Sequence, residues 1–301
     1  MQKTLISIIG STGIGKTKLA IEMAKHFGTE IISCDSRQFF KEMKIGTATP
    51  TDEELAQAKH HFIGHLSVQD YYSIGQYEED ALEKIEEIFE KNDFAVLVGG
   101  SMMYEKAVVE GLNDLPEANA ENQEKLQKIL DEEGLEKLQE ILKNLDEEYY
   151  NVVHKENPRR LLRAIDVIWQ TGRKYSEIIA EPKHKRDFKV VRIGITAPRE
   201  IMYERINLRV DKMLENGLID EVKSLTEYQK LVPLQTVGYT EIFKYLEGTW
   251  DLDFAIEEIK KNSRRYAKRQ ETWNRKVENV TWLPYDYSEE QLDEILSKIE
   301  K

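Results

Sequence analysis

The chain has 301 residues, a formal charge of −13, 40% apolar residues and 33% charged residues. That length allows one large domain or two modest ones with a proper core, while no run of about 18 apolar residues exists to cross a bilayer. The lone cysteine, Cys34, excludes an internal disulfide or a cysteine-rich zinc site, and with no basic leader or cleavage site before the first apolar run the reading is a soluble cytoplasmic protein.

In chain order, Leu5-Ile6-Ser7-Ile8-Ile9 predicts a buried strand. Gly10-Ser11-Thr12-Gly13-Ile14-Gly15-Lys16-Thr17 follows and fits the phosphate-loop pattern in full. Leu19, Ala20, Ile21, Met23 and Ala24 then predict the inner face of a helix. In that setting backbone amides curl around a phosphate and the helix N-terminus adds positive charge. Lys16 would reach the outer phosphates, and the Thr17 hydroxyl would serve a magnesium ion. The loop therefore predicts a bound polyphosphate or pyrophosphate without saying which.

Three further apolar runs, Glu30–Ser33, Phe94–Val98 and Val190–Ile195, predict strands separated by helical patterns. The fold class is α/β, a phosphate-loop parallel sheet core with an all-helical insertion. Ligands in such sheets gather at the carboxyl ends of the strands. Asp35-Ser36, Gly99-Gly100-Ser101 and Thr196 occupy those ends. Cys34, closing the second strand, reads as a small buried side chain. Motor and switch ATPases usually carry an acid after a hydrophobic strand as a second magnesium ligand. Here Asp35 is the only strand-end carboxylate, which suits a transferase with one general base, although it could also just cap the next turn. Gly99-Gly100-Ser101 could be a tight turn or a ligand contact. His60-His61 reads as structural in preference to a metal pair, because adjacent residues do not share a face.

From about Asn113 to Asp187 the strand signal stops, and leucines and isoleucines recur at helical spacing. The expected division is a core of residues 1–112 and 188–301 around a helical insertion, 113–187. Arg199 to Tyr245 and Leu252 to Lys276 are again helical, and Ser288 to Lys301 is at best a short amphipathic helix.

A net negative charge taken alone argues against a nucleic-acid partner, but the distribution is uneven. Residues 77–94 hold eight acids against Lys84 and Lys91, whereas residues 260–276 hold eight cations against Glu271 alone. A second basic stretch runs from Lys155 through Arg159, Arg160 and Arg163 to Lys174, and a third is Lys183, Lys185 and Arg186. The long basic helix, with Tyr266 and Trp273 able to stack on bases, is either a solvated face or a nucleic-acid contact.

Together the motifs resemble the tRNA dimethylallyltransferase (tRNA isopentenyltransferase) family of the shorter bacterial type, in that family's order. They run from the phosphate loop through Ile32-Ser33-Cys34-Asp35-Ser36-Arg37-Gln38, Ile45-Gly46-Thr47-Ala48, His60-His61-Phe62-Ile63 and Val98-Gly99-Gly100-Ser101 with Tyr104. Asn157-Pro158-Arg159-Arg160-Leu161-Leu162-Arg163-Ala164 comes next. Tyr203-Glu204-Arg205-Ile206 with Arg209-Val210-Asp211, Val237-Gly238-Tyr239, and Arg264-Arg265-Tyr266-Ala267-Lys268-Arg269-Gln270 to Thr272-Trp273 complete the set.

The resemblance implies transfer of a dimethylallyl group from its diphosphate to N6 of the adenine just 3′ of a tRNA anticodon. The phosphate loop would hold the diphosphate, with Mg2+ at Thr17 and further contacts from Arg163, Arg205 and Arg209. Asp35 would take the amino proton, assisted by Ser101, on a base drawn out of its stack. Ser36, Gln38 and Ser101 would read or pin that base. Arg37 stands where the family tends to have Met, so it adds a phosphate contact or alters substrate preference. Arg159, Arg160 and Arg163, the turn at Gly238 and Tyr239, and Lys268, Arg269, Trp273 and Arg275 would grip the anticodon stem-loop, with the helical insertion closing over it. A monomer is expected. Ser101-Met102-Met103 departs from the family's Thr-Gly-Leu, which keeps a hydroxyl but makes the channel wall bulkier. Three other readings stand beside this one. They are a small-molecule kinase of the phosphate-loop class, prenyl transfer onto free adenine nucleotides, and a non-enzymatic RNA-binding protein.

Overall fold

The computed structural model describes residues 2–300. Its described residues form one six-stranded sheet, β1 (Thr4–Gly10), β2 (Ile31–Ser33), β3 (His60–His61), β4 (Phe94–Val98), β5 (Lys189–Thr196) and β6 (Val280–Pro284), in the order β3-β2-β4-β1-β5-β6. Every pairing is parallel. The two inner strands β1 and β4 are almost wholly buried, as strands covered on both faces must be. Alternate residues feed two cores. Leu5, Ile32, Ala95 and Leu97 join one, and Ile6, Ile8, Ile31, Val96 and Val98 join the other, the period of two expected of a pleated strand.

Two strands add to the four expected from sequence. β3 is only two half-buried histidines long, too short for a periodic signal. His61 pairs with Glu30, and the His60 Nδ1 lies 2.8 Å from the Ala58 carbonyl, while His60 also lines the cavity at the phosphate loop. β6 buries only Leu283 and ends in Pro284, an edge strand without the apolar run that marks its neighbours. The final helix, Glu289–Ile299, packs Ile295, Leu296 and Ile299 under the sheet.

The chain divides into two compact units. One comprises the described residues up to Val109 and from Arg186 onward; the other is Glu110–Lys185. The second is entirely helical and has its own core, in which Leu126, Leu138 and Leu142 meet Leu161 and Ile165. Its helix Pro158–Thr171 starts where Asn157 accepts from the Arg160 amide with proline in the first turn, and stops at Gly172, the ordinary asymmetry of helix ends. The buried Asp166 carboxylate accepts from Asn122 at 3.0 Å and Gln170 at 2.9 Å, holding neighbouring segments together. Among the described residues no helix is long and apolar enough to cross a membrane.

Candidate active site

The site sits where the parallel strands end. β1 runs into the phosphate loop, and the helix Lys16–Phe27 begins at Gly15 with no side-chain cap and no acid in its first turn. Its first amides are therefore left for an anion. Gly10 through Thr17 form this cradle, and Thr12, Gly13, Ile14, Gly15, Lys16 and Thr17 line a cavity of about 490 Å³. The Lys16 ammonium folds back onto the carbonyls of Gly10 at 3.0 Å and Ser11 at 2.8 Å. Its surroundings are desolvated, and that pulls its pKa down to about 8; Asp35 opposes the shift and Arg209 adds to it.

Two arginines from the helix Arg199–Glu215 brace the loop. Arg205 donates through Nε to the Gly13 carbonyl at 2.9 Å. Arg209 donates to the Thr12 hydroxyl at 3.0 Å and to the Thr47 carbonyl at 2.9 Å. Burial lowers its pKa, and the nearby Asp35 works against that. Arg163, expected at the diphosphate, lies in the helical unit, where its guanidinium holds Asp166 and the Pro116 carbonyl.

Asp35, at the end of β2, lines the cradle and also a smaller cavity of about 240 Å³. Ser36, Arg37 and Ser101 line that second cavity, whose walls include the apolar Ile206, Val210 and Met213. Arg209, Thr12 and Tyr266 border both cavities. Asp35 accepts from the Arg37 amide at 3.1 Å through Oδ1. Its Oδ2 lies against Gly100, where an added Cβ would come within 2.9 Å of it. The glycine pair is thus a close-approach turn beside the carboxylate. Gln38, expected at the base, lines the cradle, and its amide donates to the carbonyls of Thr47 and Ala48.

Tyr239 requires a correction. It was expected to grip RNA, but its side chain is fully buried and its hydroxyl donates to Glu221 at 2.6 Å. Glu221 also accepts from the amides of Ile45 at 2.7 Å and Gly46 at 2.9 Å, so the pair anchors the 45–48 segment that receives Arg209 and Gln38. Gly238 lines the smaller cavity.

The helix Leu252–Asn274 carries the basic run on two differently used stripes. The first cations of the run are held by local partners. Lys260 pairs with Asp211 at 2.8 Å, Lys261 with Glu258, and Arg264 donates to Asn207. Further on, Arg265, Lys268, Arg269, Thr272, Trp273 and Lys276 line an open groove of about 410 Å³. Arg275 is exposed at the helix end. The opposite stripe, Ile259, Ser263, Tyr266 and Gln270, faces the reaction site. Tyr266 donates to the Gly100 carbonyl at 3.0 Å, and burial, then Asp35, pushes its pKa up to about 12, which keeps it a neutral donor. Sequence reasoning did not single out Gln270 or Glu221. The four-three-four spacing of Ile259, Ser263, Tyr266 and Gln270 was the available signal for the first.

Residues 38–277 match the model of the IPP transferase family. A tRNA dimethylallyltransferase of Christiangramia forsetii is 50% identical over 300 residues, covering 99% of each chain. A tRNA dimethylallyltransferase of Bacteroides fragilis is 46% identical over 298 residues, covering 99% of this chain and 98% of the relative.

The chain belongs to the IPP transferase family.

Solved structures agree. The tRNA isopentenylpyrophosphate transferase of Bacillus halodurans superposes with a TM-score of 0.73 at 36% identity, covering 99% of this chain and 96% of the other. A eukaryotic dimethylallyltransferase solved acting on tRNA gives a TM-score of 0.86 at 27% identity, covering 98% of this chain and 79% of that one. As an IPP transferase, the chain belongs with tRNA-modifying prenyltransferases, not with the small-molecule kinases that share its phosphate loop.

Proposed function

We propose that this chain transfers a dimethylallyl group from dimethylallyl diphosphate to N6 of the adenine 3′-adjacent to a tRNA anticodon, releasing diphosphate. The observation that carries the reading is Asp35, which borders both the cradle of Lys16 and Thr17 and the cavity of Ser36 and Ser101. A diphosphate in the first and an adenine in the second would put the acceptor nitrogen beside the carboxylate.

Bond changes then follow. The N6 lone pair attacks the allylic carbon while its bond to the diphosphate oxygen breaks. The leaving electron pair stays on the diphosphate, where the charges of Lys16, Arg205 and Arg209 stabilise it. The extra proton on N6 passes to Asp35. The desolvated Lys16 favours an anionic ligand, because a phosphate would replace the carbonyl dipoles of Gly10 and Ser11 with full negative charge. Ser36 and Ser101 would hold the extruded base, and the cationic groove beside Trp273 would hold the stem-loop backbone.

The site fits a magnesium ion at Thr17. That residue and Asp35 line one cavity, and among the described residues no trio of acids, histidines or cysteines competes for a metal. Most ligands would be diphosphate oxygens and waters, as magnesium prefers, and the ion would neutralise the leaving group. With tRNA as substrate, the chain would act in the cytoplasm, as a monomer.

The test is transfer of labelled dimethylallyl diphosphate to an anticodon stem-loop with magnesium present. Label on N6 of the adenine after the anticodon supports the reading; its absence at saturating RNA and donor overturns it.

A further inference from the structure

Gln270 is 1% exposed, and both ends of its amide are taken by backbone groups. Its Oε1 accepts from the Thr12 amide at 2.8 Å, and its Nε2 donates to the Gly100 carbonyl at 2.8 Å. One side chain thus spans the phosphate loop and the turn beside Asp35. We propose that Gln270 is a positioning residue that sets the separation between the donor cradle and the acceptor carboxylate, a role that rests on the reaction assigned above.

Three observations point the same way. First, phosphate loops aim their amides at the anion, yet the Thr12 amide is turned onto Gln270, so the helix Leu252–Asn274 sets this bend of the cradle. Second, Thr12 is held from its other end as well, because its hydroxyl accepts from Arg209 at 3.0 Å. Third, the Gly100 carbonyl receives both Gln270 and Tyr266, while the space above its Cα is filled by Asp35 Oδ2 and Gln270 Nε2. Arg209, Thr12, Gln270, Gly100 and Asp35 therefore form a continuous series of contacts from leaving group to base.

The chemistry of the position is restrictive. It needs one acceptor and one donor on a planar head, at the reach of two methylenes. Glutamate in its charged form keeps the acceptor and loses the donor; methionine loses both and strands two backbone groups. A displacement of about 1 Å between reacting groups can cost on the order of 100-fold in rate.

The experiment uses the full chain with Gln270→Met and Gln270→Glu. Expected is a single-turnover rate at least about 30-fold lower in Gln270→Met and intermediate in Gln270→Glu, with stem-loop Kd within about threefold of the parent. Combined with Tyr266→Phe, the losses should be less than additive, since both side chains hold the same carbonyl. A second readout needs no prenyl transfer: hydrogen exchange at the Thr12 amide should accelerate at least about tenfold in Gln270→Met. Rates within threefold of the parent, or parallel losses of rate, RNA affinity and diphosphate affinity, overturn the proposal. So does unchanged Thr12 exchange, even if the parent protein transfers no label, an outcome that would refute the assigned reaction instead.

Discussion

Ser36 reaches Ser101 twice. Its amide donates to the Ser101 hydroxyl at 2.9 Å, and the two hydroxyls lie 2.9 Å apart. The end of β2 is thereby tied to the end of β4 across the cavity assigned to the base. Ser101→Ala would strand the Ser36 amide, so turnover should fall about tenfold, whereas Ser101→Thr should stay within about threefold. Single-turnover transfer to the stem-loop checks both, and equal rates for the parent and the alanine variant would remove Ser101 from the site.

Asp35 should be needed for chemistry and not for RNA capture. Asp35→Asn keeps the shape and the acceptor for the Arg37 amide but cannot take the N6 proton. Turnover is expected to drop by at least about 100-fold, with stem-loop Kd changed less than about twofold. Rate and binding assays on the same preparation separate the two.

Lys16 gives a pH signature. In the free protein its ammonium loses its proton near pH 8 instead of at its ordinary 10.5, chiefly because it is desolvated. Diphosphate needs the charged form, so its affinity should be level below pH 8 and weaken above it, by up to about tenfold per pH unit. Stability runs the other way: between pH 8 and 10.5 the unfolded chain binds more protons at this residue, so its contribution to folding rises with pH. Calorimetric titration of inorganic diphosphate across pH 7 to 10 tests the first statement. Lys16→Met should weaken binding and abolish the inflection.

The groove beside Trp273 should contribute affinity without chemistry. Lys268→Ala and Arg269→Ala should each weaken stem-loop binding and reduce the slope of log Kd against log salt by about 1, while turnover at saturating RNA stays within about twofold. Lys261→Ala should do neither, because that ammonium is already paired with Glu258.

Gly99 is a stability prediction. A Cβ there would lie 2.5 Å from the Cys34 carbonyl carbon and 2.6 Å from the Asp35 nitrogen, both backbone atoms that cannot swing aside. Gly99→Ala should destabilise by about 2 kcal/mol or more and lower turnover through Asp35. Denaturant unfolding alongside the rate measurement checks it.

What could be read from sequence was what one local stretch carries alone. The phosphate loop, the strand-end Asp35 and the density of cations in residues 260–276 need no tertiary information. The misplaced or missed parts depend on which way a side chain turns once segments meet. Tyr239 stands in a motif beside a flexible-looking glycine, yet Glu221, 18 residues away, draws its hydroxyl inward. Arg163 shares its run with the exposed Arg159 and Arg160 but sits one turn on, facing Asp166. Gln270 is one polar residue in a highly charged helix, and its importance exists only when Thr12 arrives from 258 residues away. β6 stayed hidden because an edge strand buries too little to show a pattern.

That last separation has a consequence for how the protein is made. The Thr12 amide and the Gly100 carbonyl leave the ribosome early, and Gln270 emerges only after most of the chain has been synthesised. At roughly 5–20 residues per second, the sheet has seconds to form around β1, β2 and β4 before the side chain that bridges the loops after β1 and β4 exists. A nascent chain stalled before Leu252 could already have these inner strands paired and still lack both the RNA groove and the strut behind the carboxylate, so truncated products should be inert instead of partly active.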